Sequence, residues 1–143
     1  MPSQQTTHIF TPKIFVATAK EISMKKQRIL LVDDNRRFLE AANNIIAANS
    51  NVEVIGWATS GEDAVNKATA DLPDLVLMDI SMPGIGGLSA TRLIKKMVNP
   101  PKVIILTLYD TAEYRDEAKA AGADGFVSKS DFVDKVPAIF NRT

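Results

Sequence analysis

The chain has 143 residues, enough for one ordinary domain with a single core. Hydrophobic residues make up 45% and charged residues 24%, the balance of a folded globular chain rather than a disordered one. Lys plus Arg (17) equals Asp plus Glu (17), which argues against a nucleic-acid-binding domain; Cys is absent, which excludes disulfides and thiolate chemistry; and no apolar run reaches the length of a membrane span.

Residues 1–26 read as an extension ahead of the domain. They are mostly polar, lack a clear period and contain Pro2 and Pro12, so mobility is the expectation. "IFVATA" is too short, and its flanks too polar, for a secretory signal. The sole histidine, His8, lies here, which leaves catalytic His dyads and His-based metal sites without material. "MKKQRILLV", opening at Met24, looks like the natural start of the domain, expected over residues 27–143.

Apolar, β-branched runs of strand length then recur at 28–32 (RILLV), 52–58 (VEVIGWA), 74–79 (DLVLMD), 102–107 (KVIILT) and 125–128 (GFVS). Several are apolar throughout, as strands covered on both faces should be. Helical spacing lies between them. Phe38, Ala41, Ala42, Ile45 and Ala48 are expected to share one face, as are Ala64, Val65 and Ala68, and then Ala90, Leu93, Ile94 and Met97. Ser60 is expected to cap the second helix, Gly122 to close the fourth and Ser130 to cap the fifth. Strand–helix alternation repeated in this way predicts an α/β fold with a parallel sheet and helices on both faces. Ligands of such sheets bind outside the carboxyl ends of the strands.

The chemistry-bearing residues fall at those ends: Asp33 and Asp34 after the first strand, Asp79 after the third, Thr107 after the fourth and Lys129 after the fifth. Each has a plain structural explanation when taken alone, as a turn residue, a strand end or a solvated side chain. Independent causes of that kind would rarely put all five on one side of a sheet. With the first and third strands adjacent, three carboxylates converge, and hard oxygen ligands of this sort suit Mg²⁺ together with a phosphate. Lys129 adds a compact positive charge. A cation also explains why two adjacent acids are tolerable at the end of a core strand.

Over about residues 27–141 the sequence resembles the response-regulator receiver domains of two-component signalling, through "LLVDDN", "DLVLMDISMPGIGGLSA", "VIILTLYD" and "GADGFVSKSD" in that order. The resemblance implies the CheY-like, flavodoxin-like (βα)5 sandwich with strand order 2-1-3-4-5. It implies that Asp79 accepts a phosphoryl group, that Asp34, Asp79 and the Ser81 carbonyl bind Mg²⁺, and that Asp33 acts through a bound water. Lys129 and Thr107 would contact the phosphoryl group. Thr107 and Phe126 would form the switch, and Ser81 and Tyr109 would tune the rates. The implied donor is a sensor histidine kinase, with a homodimer among the expected partners, no direct nucleic-acid contact from this chain and a cytoplasmic location. "LTLYD" with "GADGFVSKSD" is most like receivers of NarL/LuxR-type transcription regulators. The expectation is therefore a receiver separated from such a regulator, with a stand-alone receiver as the alternative.

Some positions depart from the family pattern. Ser130 follows Lys129 where many receivers have Pro, so a cis bond there is not assumed. Pro137 falls inside the fifth helix and is expected to kink or shorten it, which puts a familiar dimer mode in doubt. Gly86 stands where Asp is common. "GIGGLS" lacks the third glycine and the position of a dinucleotide loop, and there is no P-loop. Trp57 and Phe38 read as packing. The competing function is a phosphorylation-independent interaction module, but such degenerate receivers usually lose an acid or the lysine, and this chain keeps them all. An aspartate-nucleophile phosphatase would want D-x-D where "DIS" stands at 79–81.

Overall fold

The structure is a computed structural model that describes residues 25–140; the expected extension lies outside that range except for Lys25 and Lys26. Five strands, β1 (Gln27–Val32), β2 (Val52–Ala58), β3 (Leu75–Met78), β4 (Lys102–Thr107) and β5 (Gly125–Ser128), form one parallel sheet in the order β2-β1-β3-β4-β5. Five helices alternate with them: α1 (Arg36–Ala47), α2 (Gly61–Asp71), α3 (Gly86–Lys95), α4 (Ala112–Ala120) and α5 (Phe132–Phe140). The fold is the flavodoxin-like one that the resemblance implies.

Alternation along the central strands builds two cores. Ile29 and Leu31 of β1 and Leu75 and Leu77 of β3 pack against α1 and α5, whereas Leu30, Val32, Val76 and Met78 point to the other face, under α2, α3 and α4. Both faces are covered, which is why these strands read as unbroken apolar runs. β3 is shorter than the expected 74–79: Asp74 and Asp79 flank it, each still tied to β1 through its N–H, which bonds to the Arg28 carbonyl (2.9 Å) and the Val32 carbonyl (3.0 Å) respectively. The Asp74 carboxylate also accepts from the Arg28 N–H (2.8 Å).

The caps are local and specific. Asn35 accepts from the Phe38 N–H, Ser60 from Asp63 and Thr111 from Tyr114, which sets the starts of α1, α2 and α4. Gly122 closes α4 as expected, its N–H returning to the Lys119 carbonyl (3.0 Å). The expected cap at Ser130 is a misreading. A 3-10 turn over Lys129–Asp131 precedes α5, and the Ser128 hydroxyl accepts from the Ser130 N–H (3.2 Å), so the capping side chain is Ser128. No cis peptide occurs among the described residues, the Lys129–Ser130 bond included.

Three expectations about helices are corrected. The buried stripe of α1 is Leu39, Ala42 and Ile46, with Phe38 and Ile45 on its flank, while Ala41 and Ala48 face solvent. In α3, Leu93 is exposed and Thr91 is buried in its place, its hydroxyl bonded to the Gly87 carbonyl (2.8 Å). α5 does not end at Pro137. It continues to Phe140, because Phe132, Val136, Ile139 and Phe140 are all buried against the sheet and outweigh the one missing N–H.

Candidate functional site

β1 and β3 are neighbours on opposite sides of the point where the strand order reverses, and Val32 pairs with Met78. Asp33 and Asp79 therefore leave the sheet level with one another. Their backbones stay tied to it: the Asp33 N–H bonds to the Ala58 carbonyl and the Asp79 N–H to the Val32 carbonyl, both at 3.0 Å. Behind Asp79 the start of α3 comes so close that a Cβ on Gly87 would lie 1.8 Å from the Asp79 carbonyl oxygen, so only glycine fits. Gly86, at φ +78°, makes the turn that allows this approach.

Asp33, Asp34, Asn35, Asp79, Ser81, Leu108, Tyr109 and Lys129 line a cleft of about 170 Å³. One carboxylate oxygen from each of Asp33, Asp34 and Asp79 lies within 4.8 Å of the others. Asp33 is 2% exposed and Asp79 5%, whereas Asp34 opens to solvent. Asp33 Oδ1 accepts from the Asn35 N–H (2.9 Å), which turns the chain into α1 and leaves Oδ2 facing the cleft. The Lys129 ammonium reaches in from the end of β5, 2.5 Å from Asp33 Oδ2 and 3.7 Å from Asp79 Oδ1. The nearer contact is ionic rather than a well-directed hydrogen bond, and Asp33 Oδ2 has no hydrogen-bond donor among the described residues.

The electrostatics show what is missing. Burial, followed by the Asp33 charge, pushes the Asp79 carboxyl from 3.8 up to about 6, against the opposing pull of Lys129 and of the Ile80 N–H. Three acids facing one ammonium make a site short of positive charge. A hard divalent cation fits this set of converging carboxylates.

The remaining expected residues surround the cleft in different ways. Ser81 and Tyr109 are at its rim, with Tyr109 half exposed and its ring 6.1 Å from that of Tyr114. Thr107 is fully buried and does not line the cleft; its hydroxyl accepts from the Tyr109 N–H (3.2 Å). Phe126 is partly buried on the α2–α3–α4 side of the sheet, with the Arg115 guanidinium 4.7 Å above its ring. Arg115 in turn holds Asp110 through two hydrogen bonds, of 2.6 and 3.0 Å.

Sequence reasoning missed two members. Asn35 both caps α1 and binds Asp33, and Phe38 meets the Lys129 ammonium with its ring face, 4.3 Å from Nζ to the centroid. The spacing of Asn35 to Phe38 is a visible capping signal. Nothing in the sequence signals the ring–ammonium contact.

Comparison with known proteins gives a consistent result. The family model described as "Response regulator receiver domain" matches residues 29–139. "Response regulator UvrY" of Escherichia coli O157:H7 is 42% identical over 101 residues, covering 71% of this chain and 46% of that protein. "Response regulator GacA" of Pseudomonas aeruginosa is 35% identical over 102 residues, covering 71% of this chain and 48% of that protein. The chain thus spans about half the length of the curated relatives it matches. Among solved structures, the receiver domain of the response regulator NarL from Mycobacterium tuberculosis superposes with a TM-score of 0.75 at 27% identity, covering 83% of this chain and 99% of that one. The response regulator domain of Thermotoga maritima CheB superposes with a TM-score of 0.74 at 30% identity, covering 82% and 93%.

Proposed function

We propose, since the chain belongs to the response regulator receiver domains of two-component systems, that it is a switch thrown by phosphorylation of Asp79. The family is one of signalling rather than catalysis, and the relatives are of the NarL/LuxR type of regulator. One observation carries the finer reading: three carboxylates and one ammonium, from the ends of β1, β3 and β5, share a single small cleft.

In this reading an Asp79 carboxylate oxygen attacks the phosphorus of a phosphohistidine on a sensor kinase. The new P–O bond forms as the P–N bond breaks, and the imidazole leaves with its electron pair and takes up a proton. The product is an acyl phosphate on Asp79. Lys129 pairs with the charge on the transferring oxygens, and Asp33 holds the ammonium ready for it. Asp34, Asp79 and the Ser81 carbonyl would hold Mg²⁺, with Asp33 acting through a bound water; the ion would neutralise phosphoryl charge that one lysine cannot. Thr107 then turns from the Tyr109 N–H toward the phosphoryl group and Phe126 packs into the space released, which changes the partner-binding surface. Control of transcription as part of a longer regulator, in the cytoplasm, extends this reading; a relative named as a transcriptional regulatory protein and a similar structure named as a DNA-binding response regulator of the LuxR family support the transcriptional part.

The test is incubation with acetyl phosphate, with and without Mg²⁺, followed by intact-mass measurement. A gain of one phosphoryl group that needs Mg²⁺ and is lost in Asp79→Asn is the expected result. No gain from acetyl phosphate or phosphoramidate, together with unchanged partner binding in Asp79→Asn, would turn the reading to a phosphorylation-independent module.

A further inference from the structure

Phe38 has no part in the reaction outlined above, yet its ring covers one side of the group that must meet the phosphoryl oxygens. The Lys129 side chain is only 9% exposed although it lines the cleft, so protein covers most of it and only the cleft side stays open. On the covered sides protein groups must stand in for water around the ammonium. Asp33 Oδ2 does so at 2.5 Å, while Asp79 Oδ1, at 3.7 Å, is beyond hydrogen-bonding reach. On a third side the replacement is the ring of Phe38, 4.3 Å from Nζ to the centroid, whose negative face attracts a cation.

We propose that Phe38 is a positioning residue for Lys129: its ring holds the ammonium beside Asp79 while leaving an N–H free for a transferring phosphoryl oxygen. The inference rests on the phosphoacceptor reading above. It also depends on the ring being fixed, and two contacts fix it. The Asn35 side chain accepts from the Phe38 N–H (3.2 Å), pinning the residue in the first turn of α1 just beyond the cleft. The ring also packs against Phe132, with centroids 6.2 Å apart and planes tilted by 52°, and Phe132 is fully buried in the core.

An aromatic face suits this position better than the alternatives. A carboxylate or carbonyl there would bind an N–H in a directed bond and compete with the phosphoryl oxygen for it. An aliphatic side chain would fill the space but leave that covered side of the cation against a group with no charge distribution to answer it. The ring attracts the ammonium without claiming a particular donor, so the lysine stays close and can still pivot toward Asp79.

The experiment uses the full chain with phenylalanine at position 38, with Phe38→Leu, and with phenylalanines carrying one, two or three ring fluorines at that position. Fluorine withdraws charge from the ring face while nearly preserving its shape. The rate of phosphorylation by acetyl phosphate with Mg²⁺ is read by intact mass, and the Lys129 ε-methylene protons are followed by NMR. Expected are a rate about two- to five-fold lower in Phe38→Leu, a stepwise fall with each added fluorine, and an upfield ring-current shift of the ε protons that is lost in Phe38→Leu. A rate that stays flat across the fluorinated series overturns the inference, as does a Phe38→Leu protein that folds and keeps the wild-type rate. If Phe38→Leu fails to fold, the fluorinated series still decides. A wild type that takes no phosphoryl group from any donor overturns the underlying reading, and the inference with it. That outcome is distinct from one in which the wild type reacts and the ring chemistry makes no difference.

Discussion

The Asp79 carboxyl titrates near 6 because burial and the Asp33 charge together exceed the help it receives from Lys129. A carboxyl whose folded pKa lies above its unfolded value of 3.8 binds its proton more tightly in the native state, so stability falls as pH rises from about 4 through about 6 and stays low above that. In chelator-treated protein, Asp79→Asn should therefore be more stable than wild type at pH 7.5, by up to about 3 kcal/mol, and the difference should vanish toward pH 4; parallel denaturant melts across that range check it. The bulk of Tyr109 at the cleft rim suggests a second outcome. If its ring hinders the water that attacks the acyl phosphate, Tyr109→Ala should lose phosphate several-fold faster, and an unchanged or slower decay in a time course of intact mass would dismiss the idea. Residue identities at strand ends were legible because Asp33, Asp34, Asp79 and Lys129 declare their chemistry by type and position. The contact of Phe38 with Lys129 was not, since it depends on where two side chains from opposite ends of the chain come to rest.

At the scale of elements, the five strands were readable to within a residue at either end, because most are near-continuous apolar runs, and the helices between them were readable from their spacing, with punctuation at only some of their ends. Which face of a helix turns inward was less legible. Ala41 of α1 and Ala48 at its C-cap satisfy a helical stripe on paper, but the larger Leu39 and Ile46 are drawn to the sheet and leave both facing solvent. The α5 start was misread because Ser128 and Ser130 are both good capping residues and only the 3-10 turn decides between them. Two substitutions test the packing of elements. Gly87→Ala would drive a methyl group into the Asp79 carbonyl and should cost more than about 3 kcal/mol, with loss of phosphorylation from displacement of the loop. Pro137→Ala would restore the hydrogen bond to the Val133 carbonyl and should stabilise by about 1–2 kcal/mol, visible as a higher denaturation midpoint.

Across the whole molecule, β1 and β3 contribute to both cores at once, so neither face of the sheet can be lost alone. Unfolding should be a single cooperative transition, with Trp57 fluorescence, which reports the α1–α5 side, coinciding with far-UV circular dichroism. Mg²⁺ should raise the midpoint of the wild-type transition by mass action, and should do so much less in Asp79→Asn.

The bond from the Tyr109 N–H to the Thr107 hydroxyl also makes one backbone proton a reporter. While the threonine faces the loop, that amide has an acceptor and should exchange slowly with deuterated solvent. If the hydroxyl swings to a phosphoryl oxygen as proposed, the amide loses that acceptor and its exchange should quicken. A single amide, read by heteronuclear NMR after a brief deuterium pulse, would then give the fraction of molecules in each state without any partner protein.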